Sequence, residues 1–242
     1  MVELMIATAL GLVISLLAVN YLLTSLQSKS INASYSYLKD NGAVGLYFLA
    51  KYARSAGIDT VPILGDDGIT AGACKPADLF CSMNSNSTAD RFAIRKVLQE
   101  DSVACNGEPI TLLTEIVEIF SLQDFGDYKA LVCQSYDFNN KQWLGSSTKR
   151  VLQNGIDDFQ VAYYLADEIE PKNADDVTSW SNVQGVEVSI LANSQVESYN
   201  QNYQQSFVLL DRSAQSYNDR LARQIFQTTI AFNNKVLLKD PT

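Results

Sequence analysis

Apolar residues dominate the beginning of the chain, and residues 4–28 carry no charge at all. As a helix, residues 4–26 would be about 35 Å long at about 1.5 Å per residue. The hydrocarbon core of a bilayer is about 30 Å thick. The segment therefore predicts a membrane-spanning helix with one carboxylate, Glu3, at its start.

The alternative for this segment is a signal peptide. A signal peptide has a basic leader region, an apolar core of about 7–15 residues and a small-residue cleavage site. Here Glu3 precedes an apolar run that is too long, so the sequence favours an anchor. The nearest cation, Lys29, follows the span, and the positive-inside rule would then place the large domain in the cytoplasm. A basic leader upstream would remove this conflict, and we expect the chain to begin later than its natural precursor.

The helical pattern continues beyond the span. Apolar and small residues recur at alternating spacings of four and three: Ile31, Tyr35, Leu38, Gly42, Gly45, Leu49, Tyr52 and Ala56. Glycine in a helix interior costs about 1 kcal/mol against alanine, so the two glycines on this stripe predict close approach of another element. We expect one helix over residues 2–55, with Gly57 as its stop. Its first half would lie in lipid and its second half against a globular domain.

A ladder of small residues lies within the span. Ala7, Gly11 and Ser15 recur at a spacing of four, and such ladders allow helices to pack closely in a bilayer. The alternative is that small residues are simply common in membrane spans. The sequence leaves both interpretations open.

Beyond Gly57 the pattern changes from helical periodicity to short alternating runs separated by polar segments. Strands are predicted over residues 59–64 (an edge strand, because it contains Pro62), 91–97, 110–122, 128–136, 156–165 and 183–192. Residues 221–232 fit a strand or a helix equally well. Residues 65–88, 167–182 and 193–205 are predicted as loops, the last of them mobile.

Composition narrows the function classes. The net charge is −9 with no strongly basic run, which argues against nucleic-acid binding through phosphate neutralisation. The four cysteines lie outside the span, and in an exported domain an even number suggests two disulfides, with three possible pairings. A zinc site is disfavoured because the chain has no histidine and no C-x-x-C pair. We expect no metal and no cofactor.

The absence of histidine also argues against several kinds of enzyme. Catalysis by Ser-His-Asp or Cys-His groups requires an imidazole base, and no nucleotide-binding loop or EF-hand is present. A glycosidase acting through two carboxylates stays chemically open. Its acids would come from polar stretches that we expect to be solvated: Asp157, Asp158, Asp167, Glu168 and Glu170.

The start of the chain, VELMIA at residues 2–7, resembles the N-terminal methylation motif of type IV prepilin-like proteins, whose mature chains begin Phe-Thr-Leu-Val-Glu. Most of the remaining chain resembles the PilW family of minor pilins. The matching segments are STADRFAIR (87–95), ACNG (104–107), LVC (131–133), VLQNGIDDFQV (151–161), VEVSI (186–190) and RQIFQTTIA (223–231).

The resemblance implies an α+β, type IV pilin-like fold, in which a long N-terminal helix packs on antiparallel β-sheet. It divides the chain into a transmembrane half-helix (1–28), an amphipathic half-helix (29–56) and an extracytoplasmic β-rich domain (57–242). It implies that Glu3 pairs with the N-terminal amine of a neighbouring subunit. It also favours the disulfide Cys105–Cys133, between two matching segments. For the other two cysteines we predict Cys74–Cys81, which would close a Gly/Asn-rich loop with little hydrophobic content of its own.

The implied function is non-enzymatic: a minor pilin that primes type IV pilus assembly, at the pilus tip. The implied partners are other minor pilins and the major pilin, with a tip adhesin as a further candidate, and no nucleic acid. The protein would cross the inner membrane once, with its domain in the periplasm, and then enter the pilus. The alternatives are a J-type pseudopilin of type II secretion and, from a different class, a membrane-anchored extracytoplasmic enzyme.

The chain departs from the family pattern at its start. The Gly–Phe cleavage junction and the basic leader are missing, and Met1 stands where the family has leucine. Processing by a prepilin peptidase is therefore not expected on the sequence as written.

Overall fold

A computed structural model describes residues 2–65, 80–85, 88–145, 149–166 and 168–234. Its first element is a single helix, α1, over Val2–Arg54. At about 1.5 Å per residue, its 53 residues extend about 80 Å. The predicted continuous helix is therefore confirmed. After Arg54 the chain tightens, because Ser55 and Ala56 donate to the carbonyls three residues earlier, each at 3.0 Å. Gly57 then adopts φ +83° and the helix does not continue.

Beyond α1, the regular structure of the described chain is antiparallel β-structure, apart from two short 3₁₀ turns. Twelve strands follow in order: β1 (Phe92–Val97), β2 (Ser102–Val103), β3 (Pro109–Ile110), β4 (Glu115–Asp124), β5 (Lys129–Asp137), β6 (Gln142–Trp143), β7 (Arg150–Asn154), β8 (Ile156–Leu165), β9 (Val183–Glu197), β10 (Tyr203–Phe207), β11 (Gln215–Asp219) and β12 (Leu221–Ala231). One sheet has the order β1-β4-β5, with β6 and β7 both paired to β5. A second has the order β12-β9-β8, and β2–β3 and β10–β11 form separate two-stranded ribbons.

The three-stranded sheet supports the second half of α1. On its central strand β9, Val186, Val188 and Ile190 are all fully buried, so the face predicted from their alternation is confirmed. In register, Phe226 of β12 pairs with Ile190. These residues share one large core with Leu38 and Leu49 of the helix.

The five-stranded sheet joins the same core from the other side. Phe120 of β4 lies 5.3 Å from the ring of Tyr52 on α1, measured between centroids. The opposite face of β4 carries a smaller buried cluster, which includes Val117 and Ile119. Alternating side chains of β4 therefore pack into two different buried clusters, one on each face of this sheet.

Several predicted strand limits are corrected by the structure. Residues 59–64 form no strand, and Ile63 makes only an isolated bridge to Ile94. Residues 193–205 are not a loop throughout, because β9 extends to Glu197 and β10 begins at Tyr203. Residues 221–232, which fitted two patterns, contain strand β12. Strands β2, β3, β6, β7, β10 and β11 add to the predicted set.

The predicted loops contain more order than their composition suggested. Within residues 167–182 lie two short 3₁₀ turns, Ala174–Asp176 and Trp180–Asn182. Trp180 is buried and its ring meets that of Tyr163 edge-on, at 4.9 Å between centroids. Much of the other predicted loop, residues 66–79 and 86–87, lies outside the described residues.

Candidate assembly surface

The first half of α1 extends beyond the rest of the protein. Every residue from 2 to 30 is exposed, although the segment is strongly apolar. By length and composition the helix can cross a membrane. Three of its hydroxyl groups bond within the helix, because Thr8, Ser15 and Thr24 donate to backbone carbonyls one turn earlier at 2.8–3.0 Å. The segment therefore presents a long apolar surface that the rest of the described chain does not cover.

Glu3 and the ladder of small residues lie on this exposed surface. Glu3 is in the first turn of α1, where a negative charge also complements the helix dipole. Ala7, Gly11 and Ser15 follow it at the same spacing, and the Ser15 hydroxyl donates to the Gly11 carbonyl at 2.8 Å. A Cβ added at Gly11 would have no neighbour within 4 Å among the described atoms. The geometry leaves room here for another helix, and the roles of these residues stay predictions.

The second half of α1 is fixed against the three-stranded sheet by close contacts at its glycines. A Cβ added at Gly42 would overlap the ring of Phe226. At Gly45 it would lie 2.9 Å from the Ile190 side chain and 3.4 Å from that of Ile156. Helix and sheet thus approach so closely that these two positions have no space for a larger residue. The close approach predicted from the glycines is confirmed.

A buried polar contact orients this half of the helix. The Asn41 side chain donates to the Asn193 carbonyl at 2.9 Å, and its oxygen accepts from Gln153 at 2.7 Å. Asn41 and Ser34 are both buried on the face of α1 that meets the sheet. The apolar stripe read from the sequence missed both residues, because a polar side chain on a helix ordinarily indicates a solvated face. Tyr35, which the stripe included, is 41% exposed.

The C-terminal end of α1 is also held by side chains from distant parts of the chain. The Asn234 amide donates to the carbonyl of Arg54 at 2.9 Å, which satisfies one of the unpaired groups of a helix end. Lys96 reaches Ser55 at 3.1 Å and forms an ion pair with Glu118 at 2.8 Å. Glu118 in turn accepts from the backbone of Cys105 at 2.9 Å. The helix end, two strands and the disulfide loop are therefore one connected unit.

Cys105 and Cys133 are joined by a disulfide, with their Cα atoms 6.0 Å apart. This is the pairing that the resemblance favoured. It connects the turn between β2 and β3 to the middle of β5. The other predicted disulfide involves Cys74, which lies outside the described residues, so the Cys74–Cys81 pairing stays a prediction.

The acids considered for a glycosidase are placed differently from expectation. Asp157 and Asp158 are not solvated, because they lie in strand β8 and pair with arginines that fold over that strand. Asp157 accepts from Arg223 at 2.6 Å, and the buried Asp158 pairs with Arg212. Arg223 also bonds Asp219 at 2.7 Å, and this hydrogen bond holds the pKa of that carboxyl below its usual range. Each of these three carboxylates is paired with an arginine, which is the arrangement of a structural ion-pair network.

Of the remaining acids of that set, the two that the structure describes form no site with them. Glu168 pairs with Lys172 at 2.8 Å on the surface, Glu170 is exposed, and Asp167 lies outside the described residues. Across the described ranges, no group of three or more histidine, cysteine or acidic residues is placed to hold a metal ion.

Asp90 is a buried carboxyl that the sequence did not single out. It accepts from the backbone N–H groups of Ser85 at 2.9 Å and Val161 at 2.8 Å. Its own N–H donates to the Phe159 carbonyl at 2.9 Å, so Asp90 links the start of β1 to β8 in the other sheet. Burial raises the pKa of Asp90 to about 7, although the two N–H donors act in the opposite direction. Asp90 therefore connects the two sheets through a carboxyl that titrates near neutral pH.

Comparison with known proteins first defines the fold. The structure superposes on a type IV-like pilin from Thermus thermophilus with a TM-score of 0.52, covering 82% of this chain and 96% of that one at 14% identity. The fold is therefore the predicted type IV pilin-like fold, α+β, with a long N-terminal helix on antiparallel sheets.

The family described as type IV pilus-assembly protein W, PilW, matches residues 119–234. The predicted relationship to the PilW family is confirmed over this stretch, which begins in β4 and ends just after β12. No protein in the curated set matches the chain. The chain is therefore a pilin-like protein related to type IV pili.

Proposed function

We propose that this protein is a minor pilin that primes type IV pilus assembly, at the pilus tip and together with other minor pilins. The observation that carries the proposal is the division of α1 into two halves. Residues 2–30 are apolar and exposed, whereas the second half is locked into the domain. A subunit of this shape can be stored in a bilayer and then moved into a helical bundle, because both environments cover the same apolar surface.

Glu3 would set the register during that move. A carboxylate at the edge of the hydrocarbon region is costly unless it is paired. We expect its partner to be the N-terminal amine of a neighbouring subunit, which would fix the axial position of each entering helix. Ala7, Gly11 and Ser15 continue from Glu3 at the same spacing of four and would allow the neighbouring helix to approach closely.

The proposed role is assembly rather than catalysis. The partners would be other minor pilins, the major pilin and, at the tip, an adhesin. The protein would cross the inner membrane once with its β-rich domain in the periplasm before it enters the pilus. The aspartates of β8 support this role, because ion pairs with Arg212 and Arg223 suit a rigid scaffold.

The test is deletion of the gene in its own genome, followed by complementation with variants. Loss of surface pili with normal exoprotein secretion is expected; the reverse result would assign the protein to type II secretion as a pseudopilin. Glu3→Ala should still insert in the membrane, but its amount in sheared pili should fall at least about tenfold, the factor that corresponds to 1.4 kcal/mol.

Asp40→Ala provides the matched control, because Asp40 is an exposed acid in the second half of the same helix. We expect this variant to enter pili normally. Normal incorporation of Glu3→Ala, measured by blotting sheared pili, would rule out the pairing role. A purified protein that cleaves glycans, and loses this activity when one acid pair is changed, would revive the enzyme alternative.

A further inference from the structure

Residues 98–114, here called the distal hairpin, follow strand β1 at the end of the domain where α1 ends. This segment contains β2, β3 and the turn that follows them. It lies at the C-terminal end of the helix, because Val97 donates to the Ile58 carbonyl at 2.9 Å and Leu98 to the Thr114 carbonyl at 3.1 Å. If the first half of α1 is in the membrane, the distal hairpin faces away from it.

The distal hairpin exposes three large apolar side chains. Val103 is 62% exposed, Leu112 51% and Leu113 66%. Single exposed apolar residues are ordinary on protein surfaces. Three of them on one hairpin and its adjoining turn are the kind of cluster that marks an interaction site.

The backbone at Leu113 is held in an unfavourable conformation. Its φ is +62°, a region that branched side chains rarely adopt. The turn is fixed by Leu113 N–H donating to the Leu98 carbonyl at 2.9 Å and by Leu112 N–H donating to the Asp101 carboxylate at 2.7 Å. Glycine would fit this conformation without strain. The leucine side chain is mostly exposed, so its presence is not explained by burial within this chain.

The base of the distal hairpin is rigid. Ala104, Ile110 and Ile116 form a small buried cluster, against which Leu98 and Leu144 pack. The disulfide between Cys105 and Cys133 fastens the same hairpin to β5. Exposed apolar groups on a rigid base lose little freedom when they bind, which favours docking.

The charges of the hairpin indicate the kind of surface it fits. Residues 98–114 contain Glu100, Asp101 and Glu108 and no lysine or arginine. The Arg150 guanidinium approaches the hairpin at the turn residue Gly107, whereas Asp101 lies at the leucine turn, where it accepts from the Leu112 N–H. A complementary partner has an apolar pocket with a basic rim, because opposite charges guide and align such contacts. A second copy of this chain suits the hairpin poorly, since its net charge is −9.

We propose that the distal hairpin docks into a basic-rimmed apolar pocket on a different pilus subunit, which lies ahead of this one on the side away from the membrane. The proposal rests on the proposed function, because it requires a neighbour within the filament. It assigns Leu112 and Leu113 as the central contacts, with Asp101, which accepts from the Leu112 N–H, and the adjacent Glu100 as their acidic rim.

The test is site-specific photo-crosslinking in cells that make pili, using the full chain with a photoreactive amino acid at position 112. We expect an adduct with another pilin-like protein, through a peptide that contains lysine or arginine. The control position is 169, because Ile169 is 95% exposed and belongs to a different loop. An adduct at position 112 that is no stronger than at 169, or one formed with a second copy, would overturn the proposal.

A second variant separates binding from folding. Leu113→Gly should reduce the adduct at position 112 about tenfold, as expected for loss of an anchoring side chain. Its thermal midpoint should stay the same or rise, because glycine relieves the strain. Ile169→Gly should leave the adduct unchanged. An undiminished adduct in Leu113→Gly would contradict the proposal.

The two proposals fail separately. If pili form normally in the deletion strain, the proposed function fails whatever the adducts show. If pili require the chain but position 112 gives no specific adduct, only the docking proposal fails.

Discussion

The two halves of α1 contain the same kinds of small residue but use them differently. Gly11 faces open space within the described structure, whereas Gly42 lies directly against Phe226. The second half is defined by contacts that this chain makes with itself, and the first half by contacts that it leaves to lipid or to other subunits. A glycine in a helix therefore indicates close packing, but the partner is known only when the rest of the chain is placed.

Removal of the disulfide should have the largest effect on the thermal stability of the domain while leaving the first half of α1 unaffected. The Cys105→Ala/Cys133→Ala variant removes a crosslink between residues 28 positions apart. Loss of the chain-entropy constraint on the unfolded state should lower the free energy of unfolding by about 3–4 kcal/mol. We expect a thermal midpoint lower by about 10 °C in detergent. Membrane insertion of the first half should be unaffected. An unchanged midpoint would contradict the assigned role of this disulfide.

The two glycines offer a matched test of close packing. Gly42→Val forces a branched side chain into the Phe226 ring and should cost about 3 kcal/mol through overpacking. Gly11→Val meets no neighbour within the described chain, so the domain should melt as before. Differential scanning calorimetry of both variants measures the contrast. An equal loss of stability in Gly42→Val and Gly11→Val would contradict the close packing assigned to Gly42 alone.

Gly11→Val should instead act on assembly, if the ladder of small residues packs against other helices. Its amount in sheared pili is the measurement for this second readout. Normal incorporation would leave Ala7, Gly11 and Ser15 as ordinary residues of a membrane span.

Two asparagines offer a similar comparison for hydrogen bonds. Asn41→Ala leaves the Asn193 carbonyl and the Gln153 amide without their buried partner, at a cost of about 2 kcal/mol. Asn20→Ala lies in the exposed half and should not change the melting of the domain. Chemical denaturation of both variants in detergent gives the two values. A larger loss of unfolding free energy for Asn20→Ala than for Asn41→Ala would contradict the stabilising role assigned to the buried Asn41 contact.

The smallest expected effect is a pH dependence of the folding stability of the β-rich domain. The pKa of Asp90 in the folded state, about 7, lies above its ordinary value of 3.8. Between pH 3.8 and pH 7 the folded state therefore keeps a proton on Asp90 that the unfolded state has lost. Its contribution to stability is present at low pH and is lost as pH rises through 7. We expect a loss of about 1–2 kcal/mol between pH 5 and pH 7. The Asp90→Asn variant, measured by thermal melting across this range, should have a weaker pH dependence, and an unchanged slope would exclude Asp90 as its source.

Periodicity was sufficient to predict the helix and the central strands. The helical stripe from Leu38 to Leu49 corresponds to the buried face of α1. The alternation of Val186, Val188 and Ile190 corresponds in the same way to the buried face of β9. The ribbon of β10 and β11 was missed because its strands are mostly exposed and polar, so no apolar alternation marks them. The predicted strand over residues 59–64 was wrong because this segment pairs with β1 only at the isolated bridge of Ile63 to Ile94, and the neighbouring bond from Val97 N–H to the Ile58 carbonyl does not extend it into a continuous ladder.

Features that depend on distant pairs could not be predicted from local pattern. Asp158 reads as a solvated acid beside Asp157, yet it is buried because Arg212, 54 residues later, covers it. The same holds for Asn41, whose partner Asn193 is 152 positions away. The Cys105–Cys133 pair was predicted through its motifs, since spacing alone left three pairings open. Glu3 was singled out by its motif in the same way, and its role stays a prediction.

The cap on α1 by Asn234 has a consequence for the order of folding. The donor and the Arg54 carbonyl are separated by 180 positions, and β12, which packs on Gly42, is also late in the sequence. During synthesis the helix is therefore made long before the residues that cover its inner face. Contacts of such large sequence separation form slowly, and the uncovered face would be prone to wrong association in the interval. We therefore expect chains that stop before β12 to be retained by chaperones or degraded, with their membrane half already inserted.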